Sequence, residues 1–182
     1  MFPVIEKDVI PSWLFMSLQD DLKSMELNNR AEPGAPIFWG MSKGEAAGKN
    51  TLLMCMTYAM NYTQRHVPYR IKYLDTMVNG ATANQAAGRF HVDTVPPYYG
   101  PDFPTITAIL YTSPMWDVQW GGETVIKTPD ETYSYCTYIP NNLAIFPSTW
   151  EHYGSSPNEA CPVLRTSLGF RFEVCYNSPI AR

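Results

Sequence analysis

The sequence predicts a mainly β fold with flanking helices (α+β), in which a two-sheet core of the jelly-roll or cupin type carries helices on one outer face. Two observations predict this fold. Two segments before Pro68 show helical spacing of apolar residues, and the chain beyond consists of short stretches rich in Tyr, Ile, Thr, Val and Phe, divided by turn formers. At 182 residues and 45% hydrophobic content, we expect a single domain over 1–182, with a helical part at about 1–66 and a β core at about 67–176.

The helical part contains two predicted helices and a loop. The first helix follows Ser12, because apolar residues then recur every three or four positions, at Leu14, Leu18, Leu22 and Met25. The second is predicted from about Thr51 to Gln64, where apolar residues repeat at Leu53, Met56 and Met60. Residues 28–50 carry proline and glycine too densely for a regular element, so a loop is expected there.

Composition argues against several classes of function. The four cysteines lack CxxC spacing, so we expect free thiols, with neither a zinc cluster nor a disulfide framework. Lys and Arg number 13 against 17 Asp and Glu, without a basic cluster, which argues against duplex nucleic acid as a partner. The N-terminus lacks a signal-peptide pattern and no segment is apolar enough to span a bilayer, so a cytoplasmic protein with no membrane partner is expected.

A metal site is predicted from three residues. His91 and Asp93 stand at i and i+2 of a predicted strand, so both side chains leave the same face. A His-x-Asp pair alone is weak, but His152 follows the apolar run 143–147 and can return to the same place. Two histidines and one carboxylate with open positions are typical of non-haem Fe(II) oxygenases. Zinc usually takes a fourth protein ligand or a hydrolytic site, and His66 is interpreted as a loop histidine.

An anion site is predicted from the last strand. By alternation, one face holds Leu168, Phe170, Phe172 and Val174, and the other holds Arg165, Ser167, Gly169, Arg171 and Glu173. The apolar face should pack on the helices, which leaves two arginines inside the barrel, where charge is costly unless an anion is bound. We therefore expect Arg165 to bind a carboxylate. The alternative is internal pairing, for instance of Arg171 with Glu173 or Asp93.

A neighbouring strand offers a second donor to the same carboxylate. Thr107, Ile109 and Tyr111 share one face of the segment 105–111, and an inward Tyr111 can donate its hydroxyl hydrogen. The alternative is a buried aromatic residue that serves only packing.

These motifs together resemble a known family. Their order and approximate spacing are similar to those of the Fe(II)/2-oxoglutarate-dependent dioxygenases, and within these to the prolyl 4-hydroxylase-like branch, over about residues 70–175. The segments that carry the likeness are His91-Val92-Asp93, Thr107-Ala108-Ile109-Leu110-Tyr111, Gly121-Gly122-Glu123-Thr124, His152 and Arg165-Thr166-Ser167. The paired glycines permit a tight backbone turn beside the metal hairpin.

The resemblance implies a double-stranded β-helix with specific roles for the site residues. Iron would be held by His91, Asp93 and His152, which are also the catalytic residues. Arg165 would bind the distal carboxylate of 2-oxoglutarate, assisted by Tyr111 and Ser167. The implied reaction uses O₂ to hydroxylate a substrate and releases succinate and CO₂. The protein's part is positional, and a dry wall formed by Thr107, Ile109 and Phe146 would protect the site.

Two positions bear on the kind of substrate. Arg165 matches the oxygen-sensing prolyl hydroxylases, whereas collagen-type enzymes carry Lys there. Arg171 departs from the Trp of the oxygen-sensing enzymes and resembles a second arginine of nucleic-acid demethylating members. It is therefore expected either to serve 2-oxoglutarate or to hold an acidic group of the substrate.

The substrate is expected to be a peptide or a small molecule, with a peptidyl or amino-acid-like prolyl group as the leading prediction. The proline- and tyrosine-rich segment from Thr94 to Pro104 should lie at the mouth of the site. Three tryptophans either face substrate or pack the barrel ends, namely Trp116, Trp120 and Trp150. The alternatives are oxidation of another small metabolite or a nucleobase, and a non-catalytic cupin-like binding module.

Overall fold

The computed structural model describes residues 3–24, 38–40, 50–83, 88–93 and 104–180. The regular elements of this part of the chain are two antiparallel sheets, two α-helices and one short 3-10 helix, Val118–Trp120. The larger sheet has the strand order β1-β7-β4-β9-β3-β2, and the smaller has the order β6-β5-β8. The strands are β1 (Val4–Glu6), β2 (Phe38–Gly40), β3 (Tyr69–Ala81), β4 (Thr105–Tyr111), β5 (Thr124–Lys127), β6 (Tyr133–Cys136), β7 (Leu143–Pro147), β8 (His152–Gly154) and β9 (Arg165–Pro179).

The helices are α1 (Ser12–Ser24) and α2 (Asn50–Gln64), and they cover the outer face of the larger sheet. Helix α1 begins at the predicted Ser12, and α2 begins one residue before the predicted Thr51. Helix α1 buries the side chains of Leu14, Leu18 and Leu22. Met25, the last residue of the predicted apolar stripe, lies outside the described residues. Neither helix is both long and apolar enough to cross a lipid bilayer.

The loop predicted for residues 28–50 lies mostly outside the described residues. Within it the structure describes 38–40, which form β2 and pair with residues 77–79 of β3. The prediction of no regular element is therefore wrong for these three residues. The density of glycine and proline on both sides of them hid a short edge strand, because so few residues show no alternation of their own.

Strand β9 confirms the predicted alternation. The side chains of Leu168, Phe170, Phe172 and Val174 are buried in the same apolar cluster as the inward residues of the two helices. The opposite face of β9 therefore points into the space between the two sheets. On the neighbouring strand, Ile109 and Tyr111 belong to the cluster between the sheets, as predicted, while Ala108 and Leu110 face the helices.

A one-residue bulge in β3 changes which residues face the interior. Tyr73 pairs with Phe172, and Asp75 pairs with Arg171, so Leu74 is the extra residue. Before the bulge, Tyr69, Ile71 and Tyr73 pack against the helix-side core. After it, Asp75 shares a face with the inward Arg171, although simple alternation would place it on the face of Tyr73.

The four cysteines are free thiols, as predicted. His66 contacts Glu6 of β1, since its Nε2 is 2.6 Å from Oε1 of that residue, and it is not part of the cluster of His91, Asp93 and His152. The interpretation of His66 as a residue outside the metal site is consistent with this contact.

Candidate active site

Three potential metal ligands converge between the two sheets. One ligand atom from each of His91, Asp93 and His152 lies within 4.8 Å of the other two. Residues 88–93 run alongside β8, and the main chains of His91 and His152 exchange two hydrogen bonds, of 3.1 and 2.9 Å. This antiparallel pair aligns the two imidazoles, whose ring centroids are 4.4 Å apart. The structure thus brings together the three residues of the predicted metal site.

The main chain fixes the orientation of both imidazoles. His91 Nδ1 is 2.9 Å from the carbonyl oxygen of Arg89, and His152 Nδ1 is 3.0 Å from that of Trp150. Because a carbonyl oxygen can only accept, each Nδ1 carries the hydrogen and each Nε2 keeps a lone pair. The Nε2 atoms lie 3.8 and 3.5 Å from the Asp93 carboxylate oxygens. A second ring nitrogen anchored to a carbonyl is the usual arrangement of a metal-binding histidine.

The cluster is open on one side. The side chain of His91 is 44% exposed, whereas those of Asp93 and His152 are about as buried as the core. Burial lowers the pKa of His152, and the Asp93 charge opposes that shift. His152 is therefore held in the neutral form that metal ligation requires. Two imidazole nitrogens and one carboxylate oxygen fit a divalent first-row metal such as Fe(II).

The carboxylate of Asp93 is held by the larger sheet. The hydroxyl of Thr107, on β4, donates a 2.7 Å hydrogen bond to Oδ2 of Asp93, and its oxygen lies 2.8 Å from the hydroxyl oxygen of Ser148. The wall and cofactor-binding roles of Thr107 stay predictions, and the structure adds a direct contact of Thr107 to a potential metal ligand. Ser148 was not predicted, although the inward alternation Ala144, Phe146 along β7 continues to it.

Arg165 lies inside the barrel, at the start of β9. Arg165 is only 5% exposed. Its Nε donates a hydrogen bond to the carbonyl oxygen of Gly122 at 2.8 Å, and its guanidinium carbon lies 5.0 Å from the ring centroid of Tyr138. Among the described residues, no acidic side chain lies within ion-pair distance of it. A buried guanidinium without a carboxylate is costly, so this position suits an anionic ligand.

An aromatic cluster lies beside Arg165. The ring of Tyr138 contacts those of Tyr111 and Trp116, with centroid distances of 4.5 and 4.3 Å. Tyr138 follows β6 and belongs to no sequence motif, so its place beside Arg165 is not predictable from the sequence. Its hydroxyl lies 2.8 Å from the amide nitrogen of Ser113 and also donates to the carbonyl of Thr166.

The hydroxyl of Tyr111 is engaged by the protein. It donates toward Oγ1 of Thr124 at 3.0 Å and toward the carbonyl oxygen of Cys136 at 3.2 Å. Burial raises the pKa of Tyr111, so the hydroxyl keeps its hydrogen. The expected donation to a cosubstrate carboxylate would require this hydrogen to turn away from both acceptors.

Ser167 lies on the same inward face of β9 as Arg165, two residues further along the strand. It is buried and stands opposite Tyr111 of β4 in the sheet register. Its position is therefore compatible with the predicted hydrogen bond to the same anion.

Arg171 has an acidic partner that the sequence analysis did not consider. Its Nε lies 2.6 Å from Oδ1 of Asp75, and its Nη2 contacts Oδ2 of the same carboxylate. The expected internal partners were Glu173 and Asp93, but Glu173 lies near Lys72 instead, at 3.9 Å. The bulge in β3 explains the difference, because it turns Asp75 toward the interior. In the sheet register Arg171 stands opposite Thr107, which places this pair beside the metal cluster.

The tryptophans and the remaining glycines shape the end of the barrel. Trp116 packs on Tyr138, Trp120 contacts the edge of Trp116 at 5.5 Å between ring centroids, and Trp150 packs on the inner cluster. Packing is therefore the role that these contacts support.

The predicted turn at Gly121 and Gly122 is confirmed, with φ of 76° and 80°, and β5 begins two residues later. Residues 94–103 of the predicted mouth segment lie outside the described residues.

Two sheets that enclose a His/Asp/His cluster and a buried arginine define the double-stranded β-helix fold, which confirms the predicted fold class. Solved structures share it. A prolyl hydroxylase from Trichoplax adhaerens, in complex with a hypoxia inducible factor oxygen degradation domain peptide fragment, aligns with a TM-score of 0.72 at 14% identity, over 94% of this chain and 82% of that one.

Two other solved structures also share the fold. HygX from Streptomyces hygroscopicus, with nickel and 2-oxoglutarate bound, aligns with a TM-score of 0.68 at 10% identity, over 95% of this chain and 83% of that one. SnoN, a non-heme alpha ketoglutarate dependent epimerase from nogalamycin biosynthesis, aligns with a TM-score of 0.73 at 12% identity, over 94% and 76%. No protein-family model and no curated protein matches the chain. At these identities the likeness establishes the fold alone.

Proposed function

We propose that this chain is an Fe(II)- and 2-oxoglutarate-dependent dioxygenase that hydroxylates an organic substrate and releases succinate and CO₂. One observation carries the proposal. A His/Asp/His cluster within 4.8 Å shares a barrel with a buried arginine that has no carboxylate partner among the described residues. A metal ligand set alone would also suit a binding module, whereas the additional anion pocket suits a cosubstrate that is itself a dicarboxylate.

The metal would be held by His91, Asp93 and His152, the catalytic residues of this proposal. Bound Fe(II) with 2-oxoglutarate supplies the power to activate O₂ for hydroxylation. The protein holds both imidazoles with Nε2 toward the carboxylate and keeps His152 neutral. The exposed edge at His91 leaves a side from which ligands can approach.

The distal carboxylate of 2-oxoglutarate would bind at Arg165. Nε of this residue is taken by the carbonyl of Gly122, which leaves the two Nη groups for a carboxylate. A Cβ built at Gly154 would lie 3.5 Å from one of these nitrogens, so the absence of a side chain there leaves space beside the guanidinium. Ser167 would add a hydrogen bond from β9, and Tyr111 of β4 would add one after its hydroxyl hydrogen turns away from Thr124 and Cys136.

The same barrel wall would keep water away from the reacting centre. Ile109 and Phe146 belong to the buried cluster between the sheets, and the ring of Phe146 lies 4.6 Å from that of His152. An apolar wall beside a ligand limits side reactions with solvent. This role for Ile109 and Phe146 is part of the proposal.

For the substrate, we infer a peptidyl or amino-acid-like group, with a prolyl residue as the leading candidate. The similarity to a prolyl hydroxylase solved with a peptide fragment supports this choice. A second candidate is another small metabolite or a nucleobase. It is supported by the inward pair of Arg171 and Asp75 beside the cluster, because a charged wall suits a polar small molecule better than a neutral proline ring. HygX, whose structure also exists with hygromycin B bound, supports this candidate too.

The experiment is a turnover assay with two readouts. Purified protein is incubated in air with Fe(II), 2-oxoglutarate and a panel of prolyl peptides, free amino acids and polar metabolites. Succinate is measured together with the gain of one oxygen atom by mass spectrometry. We expect substrate-dependent succinate and an oxidised product in the wild type and neither in Asp93→Ala. A binding module would be favoured if the protein binds metal but forms no succinate, either with any compound of the panel or without a substrate.

A cytoplasmic location and the lack of a duplex nucleic-acid partner remain part of the proposal. The lack of a duplex nucleic-acid partner rests on charge, since acidic residues outnumber basic ones by 17 to 13 without a basic cluster.

A further inference from the structure

The contacts of Thr107 and Ser148 form a directed chain of hydrogen bonds that ends on Asp93. Thr107 has one hydroxyl hydrogen, and a carboxylate oxygen can only accept, so that hydrogen is donated to Asp93 Oδ2 at 2.7 Å. The 2.8 Å contact between the two hydroxyls must then use the hydrogen of Ser148. Ser148 therefore donates to Thr107, and Thr107 donates to Asp93. Hydrogen bonds in such a chain polarise and strengthen one another in a buried setting.

Ser148 also holds the main chain of Asp93. The amide of Asp93 donates to the carbonyl oxygen of Ser148 at 2.9 Å, and the amide of Ser148 donates to the carbonyl oxygen of Thr105 on β4, also at 2.9 Å. Ser148 thus contacts the backbone of Asp93 directly, and it contacts the carboxylate of Asp93 through Thr107. All three side chains are buried, with exposures of 7% for Asp93, 2% for Thr107 and 0% for Ser148.

These contacts replace strand pairing that Asp93 lacks within the described residues. Within the described residues, the segment 88–93 contacts β8 through isolated main-chain hydrogen bonds and not through a continuous ladder. The bridge between His91 and His152 is the last of these contacts before Asp93. The two histidines therefore belong to the smaller sheet, whereas Asp93 is fastened to β4 and to the end of β7 in the larger sheet. The direction of the carboxylate depends on the two hydroxyls, because no strand ladder among the described residues holds Asp93.

We propose that Thr107 and Ser148 are positioning residues that hold the Asp93 carboxylate in place for the metal. This inference rests on the proposed function, since it assigns a role around the same cluster. A donor on Oδ2 restrains rotation of the carboxylate and leaves Oδ1 free of this restraint, next to His91 Nε2 at 3.8 Å. Conserving the shape of Thr107 while removing its hydroxyl should then weaken metal binding without disturbing the fold.

The test measures the affinity of the full chain for Mn(II), a redox-stable probe, by titration without 2-oxoglutarate. Loss of an outer partner of a metal ligand typically costs about 10–100-fold in affinity, and we expect a loss of that order in Thr107→Val. Ser148→Ala, which removes only the outer donor, should lose about 10-fold, the lower end of such effects. Thr107→Ser restores the hydroxyl and should remain within about threefold of wild type.

The matched control is Thr112→Val. Thr112 is also buried, and its hydroxyl donates to Thr166 Oγ1 at 3.0 Å, away from the metal cluster. Loss of the Thr112 hydroxyl should lower the free energy of unfolding by about as much as Thr107→Val does. The affinity for Mn(II) should not change. Denaturant unfolding of every variant separates a change in stability from a change in affinity.

The outcomes separate this inference from the proposed function. If wild-type protein binds Mn(II) and folded Thr107→Val binds it within about twofold of wild type, the positioning role is refuted while the proposed function stands. Should Thr107→Val fail to fold, Ser148→Ala decides, and an unchanged affinity in that variant refutes the role. Failure of the wild type to bind Mn(II) would remove the proposed function itself.

Discussion

Arg165 donates a 2.8 Å hydrogen bond from Nε to the carbonyl oxygen of Gly122, a glycine whose φ of 80° lies in the left-handed region. The backbone of the turn before β5 thus holds the guanidinium in place without neutralising its charge. A side chain at Gly122 would disturb this contact, because an added Cβ would lie 2.8 Å from Cζ2 of Trp116 and 3.2 Å from Cδ of Arg165.

Gly122→Ala is therefore expected to displace both Trp116 and Arg165. The positive φ and the steric conflict together should cost at least about 2 kcal/mol in the free energy of unfolding. Binding of 2-oxoglutarate should weaken by about tenfold or more, since the guanidinium moves. Denaturant unfolding and isothermal titration measure the two effects.

The control for that variant is Gly169→Ala. A Cβ built at Gly169 meets its nearest atoms at 3.9 Å, an ordinary contact. Its unfolding free energy should stay close to that of wild type. A Gly122→Ala variant as stable as Gly169→Ala, with unchanged affinity for 2-oxoglutarate, would contradict the role given to the turn.

Arg165→Met is expected to have opposite effects on binding and on stability. Removal of a buried charge without a carboxylate partner among the described residues should stabilise the ligand-free protein by about 1 kcal/mol or more. Affinity for 2-oxoglutarate should fall by about 10–100-fold, because two charged hydrogen bonds are lost. Thermal unfolding without ligands and titration with metal present measure these changes. A destabilised ligand-free variant would mean that the contacts of the guanidinium with Gly122 and Tyr138 outweigh the cost of burying its charge.

The pair of Arg171 and Asp75 is expected to stabilise the fold. Their side chains are 13% and 22% exposed, so removing either partner leaves a charge that is mostly out of water. A double-mutant cycle with Arg171→Met and Asp75→Leu should give a coupling free energy of about 1–3 kcal/mol, below that of fully buried pairs. Denaturant unfolding of the four proteins measures it.

The same double variant tests the cofactor-binding role predicted for Arg171. Since the carboxylate of Asp75 already balances its charge, affinity for 2-oxoglutarate should change by less than about threefold. A large loss of that affinity in the double variant would mean that Arg171 binds 2-oxoglutarate. A loss confined to one class of substrate would assign the pair to substrate recognition.

Buried thiols should be unreactive in the native protein. Burial raises the pKa of Cys136 to about 11, and burial together with the Asp21 charge raises that of Cys55 to about 12. The thiolate is the reactive form, so an aromatic disulfide reagent at pH 8 should modify Cys175 first. Cys55, Cys136 and Cys161 should react only after unfolding.

The pH dependence of that reactivity has a definite sign. Because the native pKa of Cys136 lies above its ordinary value of 9.0, the stability that this thiol contributes is complete below pH 9 and is lost as pH rises toward about 11. Reaction of native Cys136 should therefore stay slow at pH 8 and accelerate only at higher pH. Rapid modification of all four cysteines at pH 8 would contradict the described burial.

Alternation along strands was the reliable part of the sequence analysis. It predicted the buried and inward faces of β9 and the shared face of Ile109 and Tyr111, since a side chain in a regular strand must alternate. The strand predicted at His91 and Asp93 is wrong, because His91 forms only an isolated bridge with His152, although the side chains of His91 and Asp93 do meet. The fold class followed from the order of helical and strand segments.

The features missed by the sequence analysis depend on irregular backbone or distant partners. The bulge at Leu74 reverses alternation and turns Asp75 toward Arg171, 96 residues away, and nothing local in the sequence marks that reversal. Tyr138 follows β6 without a motif, and the donation of Thr107 to Asp93 joins two segments that pair with different sheets. Such contacts are set by the packing of the sheets and not by spacing along the chain.

The most direct test of the proposed site is the visible absorption of the protein with Fe(II) and 2-oxoglutarate in the absence of O₂. Chelation of the cosubstrate at the iron gives a metal-to-ligand charge-transfer band. We expect the band in wild type, its loss in His91→Ala and Asp93→Ala, and its appearance only at higher 2-oxoglutarate concentration in Arg165→Met. An iron-loaded wild type without the band, or a band that persists in Asp93→Ala, would contradict the assignment.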